Sequence, residues 1–313
     1  MPDEQKQSVA DLNKGIRWEV FIPTFLVVAI AAIVGIVNKD MLTKASNTFF
    51  FWSLDSFGWL YQLSIMASVV LVAVVTFSKL GSMRIGGKDA KPKYSFWTWF
   101  AMTLTGGIAT GIVTWGVNEP LIYYGNVWGE LNQLGIEAGT PNAAIFAMAR
   151  TFYNWTFVPY AIYALCGLLV AYIYYHKKDS LTVTATLKPL FGDRVTKPLS
   201  SAIIDTLSML ALTIGLATGL TMCITLVITG LKGTYGIQES LPLFVGIGAA
   251  IIFAFTFSSY VGLDKGLKIV GSLNAWFYYG LLALLLITGP TLFIVRIGTA
   301  GLASWMHNFW LWG

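Results

Sequence analysis

The chain has 313 residues, 56% of them hydrophobic and 11% charged, with a mean hydropathy of +0.68 and a net charge of +5. A soluble domain carries about 25% charged residues, so the composition excludes a water-soluble globular domain and indicates a membrane protein. The excess positive charge lies in loops, and it does not argue for a nucleic-acid partner.

Residues 1–17 form a short charged tail. Charge-free runs of about 18 or more residues read as transmembrane helices, and seven occur: 20–38, 57–78, 94–118, 151–175, 206–231, 240–263 and 269–295. The first is long enough to span and is followed by no polar cleavage region, so it reads as a signal-anchor. Two helices within 18–79 are followed by a basic glycine-rich linker, 80–94, and then by five helices over 95–297. Between them lie a long third loop at 119–149 and a fourth loop holding Pro189-Leu190-Phe191-Gly192, a compact turn or short helix. Residues 298–313 read as the start of an amphipathic, tryptophan-rich interfacial helix. An ending of that kind has no charged terminator, and it reads as the front portion of a longer protein.

Of the 20 lysines and arginines, 15 fall in the amino-terminal tail and the second, fourth and sixth loops, and four on the other side. The positive-inside rule therefore places the amino terminus in the cytoplasm. Cys166 and Cys223 sit within predicted helices, where packing is their expected role. His176 and His307 have no ligand spacing around them. No Walker loop, paired catalytic carboxylates or Ser-His-Asp arrangement occurs, so neither an enzyme nor an organic cofactor is expected.

Two stretches stand out. The first, "GGIATGIVTWGVNEP" from Gly106 to Pro120, spends three glycines in six residues of a membrane helix, then meets Glu119 and Pro120, which are read as stopping it. Gly107 and Gly111 form a GxxxG pair that suits close helix packing. The same glycines also suit a discontinuous helix, whose freed carbonyls hold a cation or substrate. Thr103, Thr105, Thr110 and Thr114 add hydroxyls in a number that packing alone does not need. Glu119 is read as a capping or loop-anchoring group.

The second stretch, "YNWTFVPYAIYAL", sets Trp155, Tyr160 and Tyr163 at membrane depth around Pro159. Trp155 and Tyr163 are about 80° apart around a helix and Tyr160 about 140° from Trp155, so two of the three line one face comfortably. Buried aromatic faces hold quaternary ammonium groups, which keep their charge and donate no hydrogen bonds. An ordinary amine calls for a carboxylate, and the predicted helix interiors contain none; Asp205 stands at a cytoplasmic helix entrance.

With "WGVNEPLIYY", "WTFVPYAIYA", "LKPLFGD" and "GLDKGLKIVGSLN" in this order, the chain resembles the betaine/carnitine/choline transporters (the BCCT family) from about residue 15 to 313. The resemblance implies an all-α polytopic fold of seven transmembrane helices: two extra helices and the first five-helix repeat of a LeuT-like inverted-repeat transporter. It further implies a multi-pass protein of a bacterial cell membrane, a homotrimer, and a small quaternary ammonium solute such as glycine betaine, choline or carnitine. By the same resemblance Trp155, Tyr160 and Tyr163 match the fourth-helix cage, and Gly107, Ile108, Ala109 and Gly111 the unwound glycine stretch. Thr105, Gly106 and Ile108 become candidate ion ligands, with Na+ the candidate coupling ion. Sodium-dependent members carry a threonine pair where this chain has Leu212 and Leu216, with Thr213 and Thr218 out of register. The sodium-independent carnitine exchangers carry an arginine where it has Asn274. Symport and exchange both stay open, and a non-transporting seven-helix membrane protein is the alternative from another class.

Overall fold

The computed structural model describes residues 15–107, 110–261 and 263–312. Among these residues every regular element is helical, in keeping with a polytopic membrane protein. In chain order the principal helices are α1 (Trp18–Val37), α2 (Lys39–Phe77), α3 (Phe96–Gly107), α4 (Thr110–Tyr124), α5 (Glu130–Leu134), α6 (Pro141–Trp155), α7 (Phe157–Ala171), α8 (Val183–Phe191), α9 (Pro198–Tyr235), α10 (Leu241–Val261), α11 (Leu263–Thr288) and α12 (Thr291–Asn308). Among the described residues five helical stretches are long and apolar enough to cross a bilayer: 18–37, 39–77, 141–176, 198–235 and 268–288. The bent pair 96–106 and 111–124 makes a sixth, and Leu241–Phe257 is a shorter apolar helix.

Local chemistry sets the helix ends. Helix α2 starts well before the apolar run expected at 57, because Asn38 accepts a hydrogen bond from the Met41 N–H (2.9 Å) and no glycine or proline interrupts 39–57. At 1.5 Å per residue its 39 residues exceed the roughly 30 Å hydrocarbon core, so α2 is longer than an upright span requires. Helix α6 likewise starts ten residues before its apolar run, where Thr140 accepts from the Ala143 N–H (3.3 Å) and Pro141 takes the first helical position. It stops at Trp155, since Thr156 leaves helical geometry (φ −112°, ψ −114°). Pro159 explains the stop. It has no N–H for the Trp155 carbonyl and is tolerated only in the first turn of α7.

Helices α11 and α12 part at Gly289-Pro290. The Gly289 N–H closes on the Leu285 carbonyl (2.9 Å), and a Cβ at this position would lie 2.4 Å from that oxygen, which only glycine allows. Helix α12 therefore starts at Thr291, and α11 ends at Thr288.

The chain forms two compact units: 1–90 with 157–215, and 91–156 with 216–312. In the first, α1 packs on α2 and α2 on α7. Asp205, at the start of α9 and buried, ties this unit together. One of its oxygens accepts from the Thr184 N–H (3.1 Å) and hydroxyl (2.9 Å), the other from Arg17 Nη1 (2.6 Å) and Ser201 (3.3 Å). A buried carboxylate is tolerated when donors surround it in this way.

In the second unit, α4 and α12 pack on α6, and α3 packs on α11. Gly271 of α11 lies against the Ala101–Met102 backbone, and the Trp97–Trp276 pair (5.2 Å between centroids) extends that contact. Tyr123, Leu131, Ala143, Phe146 and Ala147 form a small core closed by Ile136 and Trp312. Arg150 lies over the rings of Tyr153 (5.2 Å) and Trp312 (5.4 Å). Elsewhere large apolar side chains such as Ile36, Phe77 and Ile287 stand outward. Surface of this kind suits lipid or further protein, not water.

Candidate substrate site

Helices α4 and α6 bring the two unusual stretches together. The axes of 96–106 and 111–124 differ by 57°, so the glycine-rich run marks a sharp change of direction. Gly107 is the last residue of α3, while Ile108 and Ala109 lie outside the described residues. Gly111 belongs to the first turn of α4 with φ in the ordinary range, so it contributes room and not a left-handed conformation. A Cβ added there would meet Cη2 of Trp155 at 3.8 Å. Alanine would fit there in ordinary contact, whereas a longer side chain would meet the indole.

The other edge of that indole is tied down by Glu119. The Trp155 Nε1–H and the Asn154 Nδ2–H both donate to its carboxylate, one to each oxygen. Asn154 also donates to the Tyr123 hydroxyl (3.0 Å). Glu119 is only 5% exposed. This corrects the sequence reading on two points. Helix α4 does not stop at Glu119-Pro120 but carries Pro120 within it and runs to Tyr124. Proline removes one helical hydrogen bond, and here the loss does not end the helix; the chain turns only at Gly125 and Asn126, the latter with φ 53°. Glu119 is therefore a carboxylate inside the helix, engaged with the end of α6 and not with a loop. One signal was available. A carboxylate within an apolar run needs buried donors, and the neighbouring Asn154-Trp155 pair is the most polar point of the facing stretch.

Thr105 takes both roles of its hydroxyl toward α11. It donates to the Gly271 carbonyl (3.2 Å) and accepts from Asn274 Nδ2 (3.3 Å). Gly106 has open space where a Cβ would be. The Thr114 hydroxyl is buried with no hydrogen-bond partner among the described residues, on the helix that carries Gly111 and Glu119. Tyr160 and Tyr163 lie on α7 in the other unit, their rings tilted at 6.1 Å between centroids, and Tyr163 is 73% exposed. Of the residues singled out in the sequence, the structure thus brings Gly111 to Trp155 and Tyr160 to Tyr163. Among the described residues no cluster of His, Cys, Asp or Glu could hold a metal ion.

A family model described as "BCCT, betaine/carnitine/choline family transporter" matches residues 19–312. The "Ectoine/hydroxyectoine transporter" of Virgibacillus pantothenticus is 28% identical over 93% of this chain and 56% of its own length. The "Glycine betaine transporter OpuD" of Bacillus subtilis is 29% identical over 92% and 55%. "Glycine betaine transporter 1" of Vibrio parahaemolyticus is 32% identical over 81% and 47%. The chain spans about half the length of the curated relatives it matches.

Proposed function

The chain belongs to the betaine/carnitine/choline family of transporters, and on that premise we propose that it supplies one half of a secondary transporter for a quaternary ammonium solute. The observation that carries this reading is the Trp155 indole, laid against Gly111 beside the bend of 57°. A trimethylammonium group has no N–H to donate and no proton to lose, so an aromatic face is the protein group that best replaces its water. The Trp155 face is one wall of such a site; Tyr160 and Tyr163 are further aromatic candidates by the family resemblance alone. The bend frees backbone carbonyls near Gly106 and Gly107, as discontinuous helices of transporters do at their substrate and ion sites. Alternating access then moves the two repeats of the full-length protein around this site, in a seven-plus-helix architecture with the amino terminus in the cytoplasm.

The relatives named above include both glycine betaine and ectoine carriers; glycine betaine is the proposed solute and ectoine its competitor. Glycine betaine binding to the purified full-length transporter, with its tert-butyl isostere as competitor, tests the reading. The isostere keeps shape and carboxylate but replaces the nitrogen with carbon. A cation–π site is expected to bind it about thirtyfold more weakly, the equivalent of about 2 kcal/mol. Equal binding of the two would remove cation recognition from the account, and a clear preference for ectoine would move the substrate class.

A further inference from the structure

Glu119 is a buried carboxylate placed where a helix disfavours one. It meets α6 at the carboxyl-terminal end, the negative pole of the peptide dipoles. Its partners there are two neutral donors, the Asn154 amide and the Trp155 indole N–H. A carboxylate in this position is held by charge-assisted hydrogen bonds, which are roughly twice as strong as neutral ones. The donor it grips also matters. An indole N–H that donates to an anion shifts electron density onto the ring, because hydrogen-bonded groups polarise one another in a low-dielectric interior. The ring face is the part of Trp155 that attracts a cation.

We infer that Glu119 is a positioning and polarising residue for Trp155: its carboxylate locks the indole against Gly111 and strengthens the ring face toward a quaternary ammonium solute, without touching that solute. The inference rests on the functional reading above. It assigns a task to the glutamate of the "WGVNEP" stretch that neither capping nor packing requires. Asn154 completes the device. Its amide bridges the second carboxylate oxygen to the Tyr123 hydroxyl (3.0 Å), so the carboxylate cannot swing away from the indole without breaking contact with α6. Three groups on two helices therefore fix one ring plane.

The test is a double-substitution cycle in the full-length transporter, read by glycine betaine binding with the tert-butyl isostere measured alongside. Glu119→Gln keeps shape and one acceptor oxygen but removes the charge. The expected result is about fivefold weaker betaine binding, with isostere binding unchanged. In a Trp155→Phe background, which keeps an aromatic ring but has no N–H, Glu119→Gln is expected to have no further effect. A comparable loss from Glu119→Gln in both backgrounds would mean that the charge acts on the solute directly, and would overturn the inference. So would equal weakening of betaine and isostere, the mark of a site that has only lost its shape. Should Glu119→Gln fail to fold, 3-benzothienylalanine at position 155 replaces the indole N–H with sulfur and leaves Glu119 intact. It is expected to reproduce the fivefold loss, and unchanged betaine affinity in that variant would equally refute the role. Failure of the parent protein to bind betaine at all would instead strike the functional reading.

Discussion

Gly301 and Gly298 stand three residues apart on α12, and the structure predicts opposite outcomes when each becomes alanine. A Cβ at Gly301 would lie 2.7 Å from Cβ of Met148 and 3.4 Å from the Ala149 nitrogen, both on α6. Carbon atoms in good contact sit about 3.5–4.0 Å apart, so the overlap is about 1 Å. Because the obstructing atom is itself a Cβ, fixed to backbone, no rotamer change relieves it. The two helices must separate along an 18-residue contact element. Overpacking of this kind costs about 1–3 kcal/mol. At Gly298 nothing lies within 4 Å, and alanine there gains helix propensity, about 1 kcal/mol at most. The assay is thermal unfolding of the purified protein in detergent, followed by loss of monodisperse protein. Gly301→Ala should melt several degrees lower and Gly298→Ala at or slightly above the parent. A Gly301→Ala protein as stable as the parent would refute the close α12–α6 contact.

Trp155→Leu should weaken betaine affinity about thirtyfold, from the loss of about 2 kcal/mol of cation–π contact, and Trp155→Tyr should retain much of it; equal affinity in the leucine variant would return Trp155 to packing. Gly111→Ala places its methyl at an ordinary contact distance of 3.8 Å from the indole, so expression and melting temperature should stay near the parent. Gly111→Leu should displace the ring and lower betaine affinity, and unaltered affinity there would argue against the placement. Asp205→Ala removes one of the partners of Arg17, leaving Glu19 and Ser201, and the acceptor of two donors on Thr184. It should cost about 1–3 kcal/mol of stability, read as a lower melting temperature, whereas Ser201→Ala removes one of several donors and should cost less.

The sequence made the membrane class plain because an uncharged run of adequate length is a one-dimensional property. The extents of α2 and α6 were less legible. Their first halves are broken by charges such as Lys44, Asp55 and Arg150, so no uncharged run marks them, and their starts depend on side-chain caps at Asn38 and Thr140. Pro159 announced an interruption, and it falls at Thr156, directly after Trp155. Glu119 shows the limit most clearly. Beside Pro120 it looked like a helix stop, since sequence reveals the missing N–H of proline but not the donors waiting on another helix. Its partners lie 35 and 36 residues away, and only packing of α4 on α6 unites them. Gly111 was conspicuous from the start; that its empty space belongs to Trp155 required the fold.

Uptake of radiolabelled glycine betaine into liposomes that contain the full-length transporter tests the central claim most directly. The account predicts saturable accumulation above the outside concentration when an inward ion gradient or an internal exchange substrate is supplied, suppressed by excess unlabelled betaine and much less by its tert-butyl isostere. Liposomes that take up no betaine under either condition, or that take up betaine and isostere alike, would contradict it.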